Sequence, residues 1–209
     1  MRAWLASVLP LAIATGAEAF YNQIDTIILR MYDLPSGVGI YRIAINLSSQ
    51  VVFLLSIVNA ATGPLLARAH AAGQHEELMR IAKLAARISL VGAVSVAVLF
   101  LFFGQAILRI AFGNDFVPAY WPLMILTCGQ IVMAGAGAVA LILNMTGHER
   151  DVAWTFALSI AVNMMVSFLL IPHFGGIGAA LASAIGIIVW NLVLIRQVHR
   201  RVGFYPTFI

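Results

Sequence analysis

Acidic and amide side chains recur along one helical face near the start of the chain. Glu18, Asn22 and Asp25 stand at positions i, i+4 and i+7, a spacing that aligns them on one side of a helix. The residues around them are apolar, and an ionisable group inside an apolar segment is costly enough to indicate a function. We therefore expect this row to line a binding cavity, and for Asp25 we favour function over packing.

A second polar row follows a short connection. Arg42, Asn46 and Gln50 are spaced i, i+4 and i+8, with Asn59 further along. An acidic row facing this basic and amide row across a water-filled cavity suits a substrate with charged and hydroxylated parts. Arg42 and Arg30 suit a phosphate group, through charge-assisted hydrogen bonds.

Each of these residues also has a structural interpretation. Asn and Gln often join membrane helices by hydrogen bonds, so Asn46, Gln50 and Asn59 can equally serve as contacts between helices. Arg30 and Arg42 lie near the end of an apolar segment, where a long basic side chain can extend to the interface.

The elements that position these residues are apolar helices. Hydrophobic residues make up 62% of the 209-residue chain and charged residues only 10%, against about 25% charged in soluble domains. A helix needs roughly 20 apolar residues to cross a bilayer, and the closely spaced runs indicate an all-α, polytopic membrane helical bundle. The predicted spans cover residues 4–29, 43–66, 88–108, 121–145, 152–171 and 175–195.

The ends of the spans predict their orientation. Nine of the twelve Lys and Arg residues fall on the side that holds both termini, which places those termini in the cytoplasm by the positive-inside rule. An amphipathic helix is predicted over 68–87, along the cytoplasmic membrane surface. Met1-Arg2 and Ala17-Glu18-Ala19 imitate a signal peptide, but the apolar pattern runs on to Leu29 and favours a spanning helix.

Several classes of function find no support in the sequence. One cysteine, Cys128, forms neither an internal disulfide nor a cysteine zinc site. No metalloprotease motif, phosphate-binding glycine loop or nucleophile with a plausible base occurs, so we expect no metal, no cofactor and no enzyme. The net charge of +4 is explained by topology and membrane lipids rather than by nucleic acid.

Three stretches resemble one transporter family. They are Asp25-Thr26-Ile27-Ile28-Leu29 followed by Val38-Gly39-Ile40-Tyr41-Arg42-Ile43-Ala44, then Gly63-Pro64, then residues 170–182, LIPHFGGIGAALA. In order and spacing they resemble the C-terminal half of polysaccharide and O-antigen flippases of the multidrug/oligosaccharidyl-lipid/polysaccharide exporter superfamily. The chain is similar to one six-helix lobe of a two-lobe transporter.

The resemblance implies a function and its partners. It implies a flippase that moves polyprenyl-pyrophosphate-linked oligosaccharide across the inner membrane, for lipopolysaccharide or other surface polysaccharide. It also implies a missing N-terminal lobe or a homodimer, because one lobe has nothing opposite it to close a cavity. The alternatives are a cation-coupled drug exporter of the same superfamily, in which Asp25 binds Na⁺ or H⁺, a polytopic enzyme of glycan assembly, and a structural membrane subunit.

Overall fold

The protein is described by a computed structural model over residues 23–32 and 35–203, with the side chains of 23–32 and 37–203. Within these ranges every regular element is helical. The helices are α1 (residues 23–31), α2 (Pro35–Ser49), α3 (Phe53–Ala71), α4 (His75–Phe112), α5 (Tyr120–Ala136), α6 (Val139–Met145), α7 (Glu149–Phe174) and α8 (Gly176–Val202). Short 3-10 helices at Gln50–Val52 and Asn114–Ala119 join α2 to α3 and α4 to α5.

The described part contains five segments that are long and apolar enough to cross a membrane. They cover Gly37–Ala71, His75–Phe112, Asn114–Ala136, Glu149–Phe174 and Gly176–Val202. These segments confirm the prediction of an all-α, polytopic membrane bundle. Of the predicted first span only residues 23–29 lie within the described ranges.

The predicted surface helix is not a separate element. Helix α3 runs on to Ala71, a short turn follows at Gly73, and α4 then continues without interruption for 38 residues from His75 to Phe112. The sequence turns from charged to apolar near Ile88, but no proline occurs between His75 and Phe112 to end a helix there. The change in charge content therefore predicts a helix boundary near residue 88 that the backbone does not have.

The predicted span over 121–145 is instead broken at Gly137. This residue has φ +71 and separates α5 from α6, a backbone conformation that glycine adopts without steric cost. A Cβ atom at Gly137 would lie 2.8 Å from the Cβ of Ala86 on α4. Both the backbone angle and the close approach of α4 thus require glycine at the break.

The core consists of two apolar clusters that meet at this break. One cluster surrounds Tyr41, Leu123 and Ile171, and the other surrounds Leu78 and Leu194. Ala134 belongs to the first cluster, whereas Ala136, just before the break, and Ala138, after it, belong to the second. The short stretch around Gly137 thus contributes to both clusters.

Helices α7 and α8 form a close antiparallel pair. Gly175, with φ +53, makes the turn between them. A Cβ atom at Gly178 would lie 2.5 Å from the carbonyl oxygen of Leu170, so only glycine permits this approach of the two backbones. The predicted spans 152–171 and 175–195 leave residues 172–174 as their connection, but α7 stays helical through Phe174 and the turn lies at Gly175.

Candidate functional site

Asp25 lies inside the helical bundle. It belongs to the buried side of α1 with Ile24, Thr26, Ile28 and Leu29, and it is only 5% exposed. Ile27 on the same helix is exposed, as expected for a helix with one face in the bundle. A carboxylate at this depth needs hydrogen-bond donors or a counter-charge to offset the loss of water.

Four side chains from three helices hydrogen-bond to the Asp25 carboxylate. Tyr41 on α2 donates its hydroxyl to Oδ2 at 2.8 Å, and Ser167 on α7 donates to Oδ1 at 2.6 Å. The hydroxyl of Ser183 on α8 also donates to Oδ2. The Asn163 amide on α7 lies 3.3 Å from Oδ1. We call these five residues the Asp25 cluster.

A row of polar residues on α7 supplies part of the cluster. Thr155, Ser159, Asn163 and Ser167 are all buried and repeat every four residues, which keeps them on one face of the helix. Ser159 donates to the carbonyl oxygen of Gly186 on α8 at 2.9 Å. The row therefore holds α7 to α8 as well as contacting Asp25.

Two features of the cluster bear on its chemistry. Tyr41 Oη and Ser183 Oγ lie 2.9 Å apart, and both contact Asp25 Oδ2, so three contacts share two hydroxyl hydrogens. In addition, Asn163 Oδ1 is buried without a hydrogen-bond partner, and an unpaired buried acceptor is costly.

The cluster contains no cationic side chain. Within residues 23–32 and 37–203 the structure has one salt bridge, between Arg201 and Asp151 at the far ends of α7 and α8. The same part of the chain has no group of three or more His, Cys, Asp or Glu residues that could hold a metal ion. Among the described residues, the hydrogen-bond partners of the Asp25 carboxylate are thus neutral hydroxyl and amide groups.

The second polar row lies on the exposed side of α2. Arg42, Asn46, Ser49 and Gln50 are all exposed, although they belong to an apolar span. The backbone changes to a 3-10 helix at Gln50, and the side chains of Ser49 and Gln50 both donate to the carbonyl oxygen of Asn46, at 2.8 and 3.4 Å. We call these four residues the α2 polar face.

Of the first predicted row only Asp25 lies within the described residues, and it does not face the second row. Tyr41, not Arg42, points to Asp25, and one residue along a helix turns the side chain by about 100°. Tyr41, Ala44 and Ser48 form the buried side of α2, so Arg42, Asn46 and Gln50 lie on another side.

Two further predicted site residues, Arg30 and Asn59, do not belong to the cluster. Arg30 is exposed at the end of α1. Asn59 on α3 is half-buried, and its Oδ1 has no hydrogen-bond partner among the described residues. Glu18 and Asn22 lie outside the described residues.

The candidate site residues predicted from the sequence do not include Asn163, Tyr41, Ser167 or Ser183. The repeat of Thr155, Ser159, Asn163 and Ser167 at every fourth residue was the available signal. A polar face this regular on an otherwise apolar span indicates a contact with another polar group.

Two curated relatives are named as flippases. The chain is 23% identical over 175 residues to a "Probable low-salt glycan biosynthesis flippase Agl15" of Haloferax volcanii, covering 84% of this chain and 37% of that protein. It is 24% identical over 197 residues to a "Probable flippase AglR" of the same organism, covering 89% of this chain and 40% of that protein. The chain therefore spans about two-fifths of the length of these relatives.

A solved structure has the same fold. It is the inward-facing conformation of a multidrug resistance MATE family transporter of the MOP superfamily, with a TM-score of 0.73 and 19% identity. The match covers 91% of this chain and 44% of that one. The MatE family model matches residues 10–169, well over half of the chain. The chain therefore belongs to the MatE family, whose members are multi-pass membrane transporters and not enzymes.

Proposed function

We propose that the chain forms one lobe of a flippase that moves lipid-linked oligosaccharide across the membrane. The names of both curated relatives support this substrate class. The headgroup would cross through a polar cavity while the polyprenyl chain stays in lipid. The inner membrane, cytoplasmic termini and a role in lipopolysaccharide or O-antigen export belong to the same proposal.

The observation that carries this proposal is the α2 polar face. An arginine, two amides and a hydroxyl are exposed on a span that is otherwise apolar, and polar groups that face lipid are costly. A water-filled cavity removes that cost and suits a hydroxyl-rich, phosphate-bearing headgroup. The 3-10 turn at Gln50–Val52 lies beside this face, and irregular backbone at membrane depth is typical of a cavity lining.

We propose that a second lobe completes this cavity. The chain covers 44% of the similar transporter, so the remaining part would be a further lobe of the same polypeptide or a second copy. Immunoblotting of native membranes separates the two. A band near twice the calculated 22.5 kDa supports one two-lobe polypeptide, and a band near 22.5 kDa supports a pair of chains.

Substitutions on the α2 polar face test the function in the complete transporter. In cells whose own flippase is deleted, we expect Arg42→Ala and Asn46→Ala to reduce surface glycan, measured by gel electrophoresis of extracted polysaccharide. Arg109→Ala, at the exposed end of α4, is the matched control and should leave the glycan unchanged. Normal glycan with both α2 variants would contradict the proposal.

A cation-coupled exporter is the second candidate, and the Asp25 cluster favours it. A single carboxylate among neutral hydroxyl and amide groups can take up a proton or a small hard cation. Asn163 Oδ1 has no partner and would serve as a further ligand. This candidate predicts that Asp25→Asn keeps substrate binding but removes the dependence of transport on an ion gradient.

Transport into vesicles distinguishes the two candidates. Substrate uptake is measured with imposed Na⁺ or proton gradients, using labelled lipid-linked glycan and a cationic drug in parallel. Asp115→Asn, exposed in the 3-10 helix before α5, controls for the loss of a carboxylate. Uptake of the drug but not of the glycan would favour the exporter over the flippase.

A further inference from the structure

The outer side of the α7–α8 pair carries an apolar groove. It has a volume of ≈ 330 Å³ and is lined by Trp154, Thr155, Ala157, Leu158, Ala161, Val193 and Gln197. A second groove of ≈ 460 Å³ is lined by Leu192, Val193, Ile195 and Arg196 on α8. Because Val193 belongs to both, the two grooves adjoin. We call them together the α7–α8 groove.

This groove is separate from the site described above. Trp154 and Asn163 are nine residues apart on α7, which places them on opposite sides of a helix with 3.6 residues per turn. Trp154 is 77% exposed, whereas Asn163 is 1% exposed. The groove thus faces the surroundings of the bundle, and the Asp25 cluster faces its interior.

One end of the groove is basic. Arg196 lines it, Arg200 follows one turn later on α8, and Arg150 precedes Trp154 by one turn on α7; all three are exposed. Arg201 at the same end is paired with Asp151 at 2.9 Å. No ion pair to Arg150, Arg196 or Arg200 occurs within residues 23–32 and 37–203. These guanidinium groups can therefore bind an external anion.

The two uncharged polar side chains of the groove, Thr155 and Gln197, contact each other. The Thr155 hydroxyl, which has one hydrogen, lies 2.8 Å from the carbonyl oxygen of Asp151 and 3.2 Å from Gln197 Oε1. Further along, Leu158, Ala161 and Val193 are apolar. The groove therefore passes from a cationic end, past the Thr155–Gln197 pair, to an apolar end.

We propose that the α7–α8 groove is a binding site for an anionic phospholipid. An acyl chain lies against Leu158, Ala161 and Val193, and the phosphate accepts hydrogen bonds from Arg196 and Arg200. Basic pockets between membrane helices bind anionic headgroups in this way, and an exposed Trp is typical of the headgroup level. The site does not depend on which substrate the transporter moves, because it lies away from the Asp25 cluster and the α2 polar face.

Native mass spectrometry of the purified transporter tests the site. The probes are phosphatidylglycerol and phosphatidylcholine with identical acyl chains. We expect the wild-type protein to prefer phosphatidylglycerol, and Arg196→Gln with Arg200→Gln to weaken its binding about 30-fold while phosphatidylcholine is unaffected. Arg109→Gln, which removes one charge at the far end of α4, should change neither.

A second variant tests the groove without changing charge. Ala161→Phe fills the apolar end and should lower the retention of both lipids, with folding confirmed by size-exclusion chromatography and tryptophan fluorescence. Equal binding of the two lipids by the wild type would overturn the proposal. An effect of Arg109→Gln as large as that of the double variant would also overturn it. So would displacement of phosphatidylglycerol by equimolar polyprenyl phosphate, since the groove would then hold the transported lipid.

Discussion

The Asp25 cluster and the α2 polar face are both polar regions within apolar helices, but they are completed in different ways. The carboxylate of Asp25 contacts four side chains from α2, α7 and α8. In contrast, the amides and the arginine of the α2 polar face are exposed. The Gln50 amide donates a hydrogen bond to the carbonyl oxygen of Asn46, only four residues earlier in the chain. The first region finds its hydrogen-bond partners within the described chain, whereas the second presents exposed polar groups that, under the proposed function, line the cavity. Stability measurements on the purified protein can therefore separate the two.

The largest loss of stability is expected beside the Asp25 cluster, where the backbones of α7 and α8 approach each other closely. In Gly178→Ala the new Cβ would lie 2.5 Å from the Leu170 carbonyl oxygen, and backbone atoms on both sides prevent relaxation. We expect the free energy of unfolding to fall by about 3 kcal/mol, measured by SDS titration in mixed micelles.

Gly39→Ala on α2 is the matched control. Its Cβ would lie 3.8 Å from Phe116 Cε1, an ordinary contact, so the gain in helix propensity should leave the protein equally stable or about 0.5 kcal/mol more stable. If the two alanine variants had the same free energy of unfolding, the expected difference in packing between the Gly178 and Gly39 positions would be wrong.

Removal of the carboxylate should have the next largest effect. Asp25→Ala leaves the donors of Ser167 and Asn163 without their acceptor, whereas Tyr41 and Ser183 can still bond to each other at 2.9 Å. We expect a loss of about 2 kcal/mol on the same titration. Gln23→Ala, exposed on the same helix, should change stability by less than about 0.5 kcal/mol. A neutral Asp25→Ala variant would mean that the cluster contributes nothing to the lobe.

Loss of a single hydroxyl from the cluster should have a smaller effect. Tyr41→Phe keeps the buried ring and removes one donor to Asp25, which should cost about 1 kcal/mol. The thermal midpoint of intrinsic fluorescence in detergent measures the change. Tyr32→Phe, where the ring is 43% exposed, provides the comparison, and an equal shift in the two variants would argue against a special role for the Tyr41 hydroxyl.

The smallest effect is expected on the α2 polar face. Asn46→Ala and Gln50→Ala remove exposed amides and should alter the stability of this lobe by less than about 0.5 kcal/mol. Unfolding curves that overlay the wild type, together with reduced transport in the complete protein, would sharpen the contrast with Asp25. A loss above 1 kcal/mol would instead make this face part of the core of the lobe.

The sequence predicts the helical bundle, and singles out Asp25 as a candidate site residue, for one physical reason. Long apolar runs have to be helical in a membrane, and a carboxylate within such a run is too costly to be incidental. The hydrogen-bond partners of Asp25 are harder to predict from the sequence. Asn163 and Ser167 lie on a polar row that can be read from spacing, but which helix meets that row depends on how α1, α7 and α8 pack.

Two boundaries could not be predicted because composition and backbone disagree there. The loss of charge near Ile88 resembles the start of a helix, yet α4 passes through it. Conversely, the stretch Ala134-Gly135-Ala136-Gly137-Ala138 is uniformly small and apolar, and nothing in it distinguishes Gly137 as the break. Only the approach of Ala86 from α4 makes that position unique.

The unbroken course of α4 has a consequence for the thickness of the surrounding bilayer. Arg87 and Arg109 bracket its apolar part, and 22 residues of helix separate them by about 33 Å, close to the roughly 30 Å of a hydrocarbon core. A continuous helix cannot shorten, so a thinner membrane forces it to tilt or pulls a guanidinium group away from the headgroups. The apolar length of α4 therefore sets the bilayer thickness that it matches best. Reconstitution in lipids of graded chain length would measure that thickness.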